Sequence, residues 1–131
     1  LRDKKFALFS LLFEQGDYGS YMDHLADSHE AQAREYAKRQ NKEKCLYHLE
    51  QALMNAIGFI EYMRSESYVH TSLLWRGYES YPQGTILWDR ENIAAQILSK
   101  TELPEYDSVR EDAGFKALIE RLSEYAGEND Y

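Results

Sequence analysis

Between Lys42 and Met63 the residues Cys45, Leu49, Ala52, Leu53, Ala56, Ile57, Ile60 and Met63 recur at three- and four-residue steps. That period belongs to one long amphipathic helix of about 30 Å. No other stretch limits the fold so tightly. A helix of this length has to lay its apolar stripe against neighbours, and the small residues Ala52, Ala56 and Gly58 permit close approach of a second helix.

The flanking segments are helical too. From Asp3 to Gln15 apolar residues run all round the axis (Phe6, Ala7, Leu8, Phe9, Leu11, Leu12, Phe13), which predicts a helix buried between neighbours. Gly16-Asp17 should end it, with Asp17 as N-cap of the next. A second helix is expected from Tyr18 to about Arg39, striped by Tyr21, Met22, Leu25, Ala33, Tyr36 and Ala37, with a bend or split near Asp27-Ser28-His29. Gln40-Asn41 closes it, and Asn41 suits the N-cap of the long helix. Residues 65–88 are irregular and rich in aromatics, compatible with helix, extended strand or packed loop. Helix should return near Asp89, as N-cap, through Ile97 and Leu98 to about Lys100, and stop at Leu103-Pro104. A last helix, from about Ala113 to Tyr125, presents Phe115, Leu118, Ile119 and Leu122 on one face. The expected fold class is therefore all-α, with about five or six helices in stacked antiparallel hairpins around the irregular segment near 65–88.

At 131 residues this is most simply one domain, 1–131, with an ordinary globular share of apolar (44%) and charged (29%) residues. The net charge of −8 repels phosphate backbones, so the chain itself should not grip DNA or RNA. The start at Leu1-Arg2-Asp3, without methionine, reads as a portion of a longer protein. Phe6–Phe13 is too short to span a bilayer or serve as a signal peptide. One cysteine, Cys45, excludes an internal disulfide and favours a cytoplasmic setting.

The hairpin over residues 26–59 can be set against the tetratricopeptide pattern. Tyr36 takes the aromatic position of the first helix, with Ala33 at its small position. Cys45, Leu49 and Ala52 take those of the second. Its turn and the one at Gly16-Asp17 lie 25 residues apart, against a repeat length of about 34. The pattern is tetratricopeptide-like and degenerate. Over a longer stretch, Cys45-Leu-Tyr-His-Leu-Glu-Gln-Ala-Leu53, Asn55-Ala-Ile57, His70-Thr-Ser-Leu-Leu74, Asp107-Ser-Val-Arg-Glu-Asp112 and Phe115-Lys-Ala-Leu118 together resemble the C-terminal region of bacterial transcription regulators. In those proteins a repressor-type helix-turn-helix precedes a helical-repeat region. The resemblance implies a non-catalytic module that senses a ligand, binds a peptide or protein, or dimerises. DNA would be reached only through an N-terminal domain absent from this sequence. The alternative is a helical-repeat scaffold for protein contacts, with no effector and no link to transcription.

Few residues suggest chemistry. Cys45-x-x-His48 could supply half of a zinc site, but a structural site needs about four ligands and there is no second pair, so Cys45 reads as a core cysteine. His24 and His29, with Asp23 and Asp27, read as a solvated patch. No phosphate loop, nucleophile elbow or Glu-x-x-His pair occurs, and neither enzyme activity, metal nor cofactor is expected. The unusual count is tyrosine, 11 in the chain. Tyr47, Met54, Asn55 and Tyr62 lie off the main stripe of the long helix and form a candidate peptide or ligand groove; the other reading of the tyrosines is packing between short helices.

Overall fold

The computed structural model describes residues 2–13, 17–83 and 92–127. The fold is all-α, with five α-helices among the described residues: α1 (Arg2–Leu12), α2 (Met22–Lys38), α3 (Lys42–Arg64), α4 (Ile93–Thr101) and α5 (Ala113–Ala126). One small antiparallel ladder interrupts them, β1 (Tyr68–Val69) against β2 (Glu79–Ser80), with Tyr68 opposite Ser80 and Val69 opposite Glu79.

The centre is the antiparallel pair α2/α3. Ala26, Ala33 and Ala37 on α2 and Cys45, Ala52 and Ala56 on α3 are all buried, so small side chains line the seam where the two backbones approach. Gly58 serves the same end, because a Cβ there would lie 2.7 Å from Met22 Sδ. The turn closes by two backbone bonds, Gln40 N–H to Ala37 O (3.0 Å) and Asn41 N–H to Tyr36 O (2.9 Å). This is a Schellman closure with Gln40 in the left-handed region (φ 55°), a place usually held by glycine. Asn41 then caps α3 by accepting from Lys44 N–H.

The C-terminal half is tied on by side chains that each close a helix end. Asn92 Oδ1 accepts from Ala94 and Ala95 N–H, while its Nδ2 donates to Tyr125 O at the far end of α5. Asp112 caps α5 through the N–H groups of Gly114 and Phe115, and pairs with Lys42 across the bundle. Arg110 donates to the carbonyls of Thr101, Glu102 and Leu103, the open end of α4. Tyr106 is wholly buried against α2 and donates its hydroxyl to Glu30 Oε1 (3.0 Å) and Glu30 O (3.2 Å).

Four expectations change. α2 starts at Met22, after a 3-10 turn over Gly19–Tyr21, and runs unbroken through Asp27-Ser28-His29. Asp17 caps neither element; its carboxylate is taken by the ladder region. α4 is capped by Asn92 and begins at Ile93, whereas Asp89 lies outside the described residues, as do Gly16 and Trp88. Finally, α1 packs by one face only, through Phe6 and Phe9 with Phe13 just past its end, leaving Leu8 exposed and Leu11 at 74% exposure.

Candidate ligand-binding cavity

The segment left open between helix, strand and loop folds back as a hairpin whose tip is held by its own backbone. His70 N–H donates to Tyr78 O (2.8 Å), Gly77 N–H to His70 O (2.9 Å) and Trp75 N–H to Ser72 O (3.1 Å). Asp17 fastens this hairpin to the start of α2. Its Oδ2 accepts from Thr71 N–H (2.7 Å) and Ser72 N–H (2.8 Å), and its Oδ1 accepts from Tyr68 Oη (2.7 Å).

Burial alone would raise the Asp17 pKa, but the Tyr68 hydroxyl, the two amides and nearby His70 outweigh it and hold the carboxyl below its ordinary value. The same contact, with burial leading, pushes the Tyr68 hydroxyl up to about 12. A depressed carboxylate contributes stability above the ordinary Asp range and loses it as pH falls through the folded value. Asp17→Asn keeps one acceptor oxygen and loses the charge. It should cost about 2 kcal/mol in guanidinium unfolding, with the Thr71 and Ser72 amides losing exchange protection. A cost below about 0.5 kcal/mol would show that the carboxylate is not what fastens the hairpin.

Above this clasp lies a cavity of about 280 Å³, lined by Phe13, Tyr18, Tyr21, Tyr62, Trp75 and Tyr78 together with Ser20, His70 and Ser80. At its floor Ser80 Oγ joins Tyr62 Oη (3.0 Å) and His70 Nε2 (3.2 Å). His70 Nδ1 lies 3.4 Å from Asp17 Oδ1, makes no hydrogen bond, and belongs to a residue only 9% exposed. Gly19 makes room for the imidazole: it has φ 51°, and a Cβ there would sit 2.7 Å from His70 Cε1.

Asp17, His70 and Ser80 thus lie in the order of a nucleophilic triad, but they are committed differently. Both Asp17 oxygens are occupied by Tyr68 and two amides, and the Ser80 hydroxyl is shared with Tyr62. The arrangement is an anchored polar floor beneath aromatic walls. A second, more open cavity of about 400 Å³ lies between α4 and α5, walled by Leu98, Phe115 and Ile119, with Arg110 already spent on the end of α4.

Of the four groove candidates, Tyr62 is buried (8% exposed) and lines the aromatic cavity. Tyr47 and Met54 stand at 56% exposure on another face of α3, and neither they nor Asn55 walls that cavity. The Asn55 amide donates to Gln51 O within its own helix. Cys45 is buried and its thiol is pushed up to about 11 by burial. His48 faces His29 across the α2/α3 seam, Nδ1 to Nδ1 at 3.0 Å. The solvated patch therefore dissolves: His29 and Asp23 are buried, His24 and Asp27 exposed, and Asp27 pairs with Lys100. Among the described residues no group of three or more His, Cys, Asp or Glu is placed to hold a metal ion, and no helix is long and apolar enough to cross a membrane.

The residues that the sequence did not single out are Asp17 as clasp and His70 and Ser80 as floor. The one signal they leave is the density of aromatics on either side of His70. Comparison with protein-family models, with curated proteins and with solved structures finds no match to this chain.

Proposed function

We propose that this chain is a non-catalytic, ligand-sensing module, and that the ligand occupies the aromatic cavity beneath the 68–80 hairpin. One observation carries the reading: a cavity walled by six aromatic rings has a single polar cluster at its floor, Ser80 Oγ with Tyr62 Oη and His70 Nε2. Binding sites of this sort are concave and mostly apolar, with few polar groups to orient the occupant. Besides Phe13 and Tyr62 of α3, the cavity is bounded by two pieces of chain outside the helices, the Tyr18–Tyr21 turn and the hairpin. An occupant would favour the arrangement in which both are closed on it, which is the differential affinity a sensor needs.

The context we propose is the C-terminal part of a bacterial, cytoplasmic transcription regulator with tetratricopeptide-like stacking. It rests on the resemblance carried by Cys45–Leu53, His70–Leu74 and Asp107–Leu118. His70 belongs to both that resemblance and the cavity. DNA would be bound by a preceding helix-turn-helix, and pairing of two chains would fix the half-site spacing.

A thermal-shift screen of small molecules and short peptides tests the cavity. A true occupant present at about 100 times its Kd adds about 2.7 kcal/mol of stability, and that gain should vanish in His70→Ala. Ligands that stabilise His70→Ala as well as the wild type would sink the assignment. The scaffold reading is favoured by exposed Tyr47 and Met54 on α3 and Leu73 and Leu74 on the hairpin. It expects partner binding to be lost in Tyr47→Ser/Met54→Ser and retained in His70→Ala.

A further inference from the structure

The walls and the charge around the cavity narrow the class of its occupant. Six rings surround it, and neighbouring rings are tilted instead of stacked flat on one another. Phe13 meets Tyr18 at 61° and 5.9 Å, Phe13 meets Tyr21 at 43° and 5.5 Å, and Trp75 meets Tyr78 at 55° and 5.8 Å. The wall rings therefore do not cover one another by flat stacking, although Phe13 also stacks on Phe9 (5.6 Å, 26°). The described residues that line the cavity include no Lys or Arg. Behind the floor lies Asp17, 4% exposed, its carboxyl held below the usual range, with its nearest oxygen 3.4 Å from His70. The chain as a whole carries −8. A desolvated carboxylate beneath an aromatic box, on an acidic protein, repels anions and attracts cations at short and long range alike. The hydroxyl oxygens at the floor, Ser80 Oγ and Tyr62 Oη, are able to accept from a ligand N–H or O–H.

We infer that the cavity beneath the 68–80 hairpin binds a small organic ammonium, either a protonated amine or a methylated ammonium, by cation–π contact with its aromatic walls. The inference rests on the reading of this cavity as the ligand site. Ring faces attract a cation within about 6 Å of their centroids, and several such faces together are the known solution for quaternary ammonium groups. A space of about 280 Å³ admits a compact head group, not a folded peptide. A neutral apolar guest would fill the box but gain nothing from Asp17 or from the floor hydroxyls. An anion would face Asp17.

Choline and its neutral carbon isostere, in which tert-butyl replaces trimethylammonium, are the two probes. Each is titrated at constant ionic strength and followed by the upfield ring-current shift of its methyl resonance. Choline is expected to bind at least about tenfold tighter than the isostere. Trp75→Leu, which keeps an apolar wall but removes a π face, should weaken choline about tenfold and leave the isostere unchanged. Equal affinities, or choline binding indifferent to Trp75→Leu, would overturn the inference. So would capture of the protein on phosphatidylcholine vesicles that free choline does not compete off, since the occupant would then be a lipid surface. If a library compound stabilises the wild type but not His70→Ala while choline fails, the ammonium inference falls and the ligand site stands. If no compound of any charge discriminates between wild type and His70→Ala, the site itself falls.

Discussion

Tyr106→Ala should lower the free energy of unfolding by about 4 kcal/mol, measured by urea denaturation at neutral pH. The ring is wholly buried, packs 5.8 Å from Phe115, and stands where the turn after α4 meets α2. Truncating a buried aromatic loses its transfer energy and leaves a cavity, which together account for most of the effect. The rest comes from Glu30, a carboxylate with no exposed surface whose Oε2 already lacks a hydrogen bond. Burial pushes the Glu30 carboxyl above its ordinary range, against the pull of Arg34, of the Tyr106 hydroxyl and of Lys100. Losing that hydroxyl removes the best donor it has. Tyr106→Phe isolates this part and should cost about 1.5 kcal/mol. The Tyr106 ring and the Ser108 hydroxyl, which donates to Ala37 O, attach the C-terminal pair to α2. Exchange of amide protons in α4 and α5 should therefore accelerate more than in α2 and α3. A loss below about 2 kcal/mol for Tyr106→Ala would mean that this ring is not what closes the bundle.

The helices were legible wherever the interactions that make them are local. The α3 stripe, the Asn41 cap and the start of α5 at Asp112-Ala113 all depend on residues within one turn of chain. Legibility failed where a side chain serves a distant partner. Asp17 has the residue type of an N-cap, yet its acceptors are engaged by Thr71 and Ser72, 54 and 55 residues away, and by Tyr68. Near α4 both Asp89 and Asn92 are good cap residues by type. Asn92 also holds Tyr125 O, a tie that appears only once α5 is packed. α1 shows the reverse limit: apolar residues all round a helix state a demand for burial without showing what meets it, and Leu8 and Leu11 are left exposed among the described residues.

The site was half legible for a geometric reason. A helix turns about 100° per residue, so Tyr47 and Met54, seven apart, share one face, while Asn55 and Tyr62 share another about 80° away. The four candidates therefore divide into two pairs. Within the second pair Asn55 satisfies its amide on the carbonyl one turn back, and only Tyr62 reaches the cavity. The floor it meets comes from Ser80 and His70, and the clasp from Asp17. Residue spacing along the chain carries no record of such a meeting.

The buried histidine pair should make the protein acid-sensitive between about pH 6.5 and pH 4, with a loss of about 3 kcal/mol traceable to His29. His29 and His48 share a hydrogen bond, Nδ1 to Nδ1 at 3.0 Å, so one ring donates and the other must stay an acceptor. Phe6 lies flat on His29 at 3.8 Å, and Tyr36 on His48 at 5.5 Å. Burial, then the neighbouring His48 and Lys5, pushes the His29 pKa down to about 4. Burial also lowers His48, against a raising pull from Asp3 and with a further push from Lys44. The unfolded chain takes its proton near pH 6.5, whereas folded His29 refuses it until about pH 4. Stability is therefore full above 6.5 and declines as the pH falls across that window. Two carboxylates complicate the total. Glu30, raised by burial, regains stability as it protonates, and Asp17 loses its contribution only at still lower pH. The decisive measurement is a difference, wild type against His29→Phe, which keeps a ring on Phe6 and cannot titrate. The gap between their unfolding free energies should shift by about 3 kcal/mol in favour of the variant from pH 7 to pH 4. Parallel curves would mean that His29 accepts a proton in the folded protein as readily as in the unfolded chain. The Phe6 stack and the His48 contact would then hold a charged imidazole as easily as water does, against the cost of burying it.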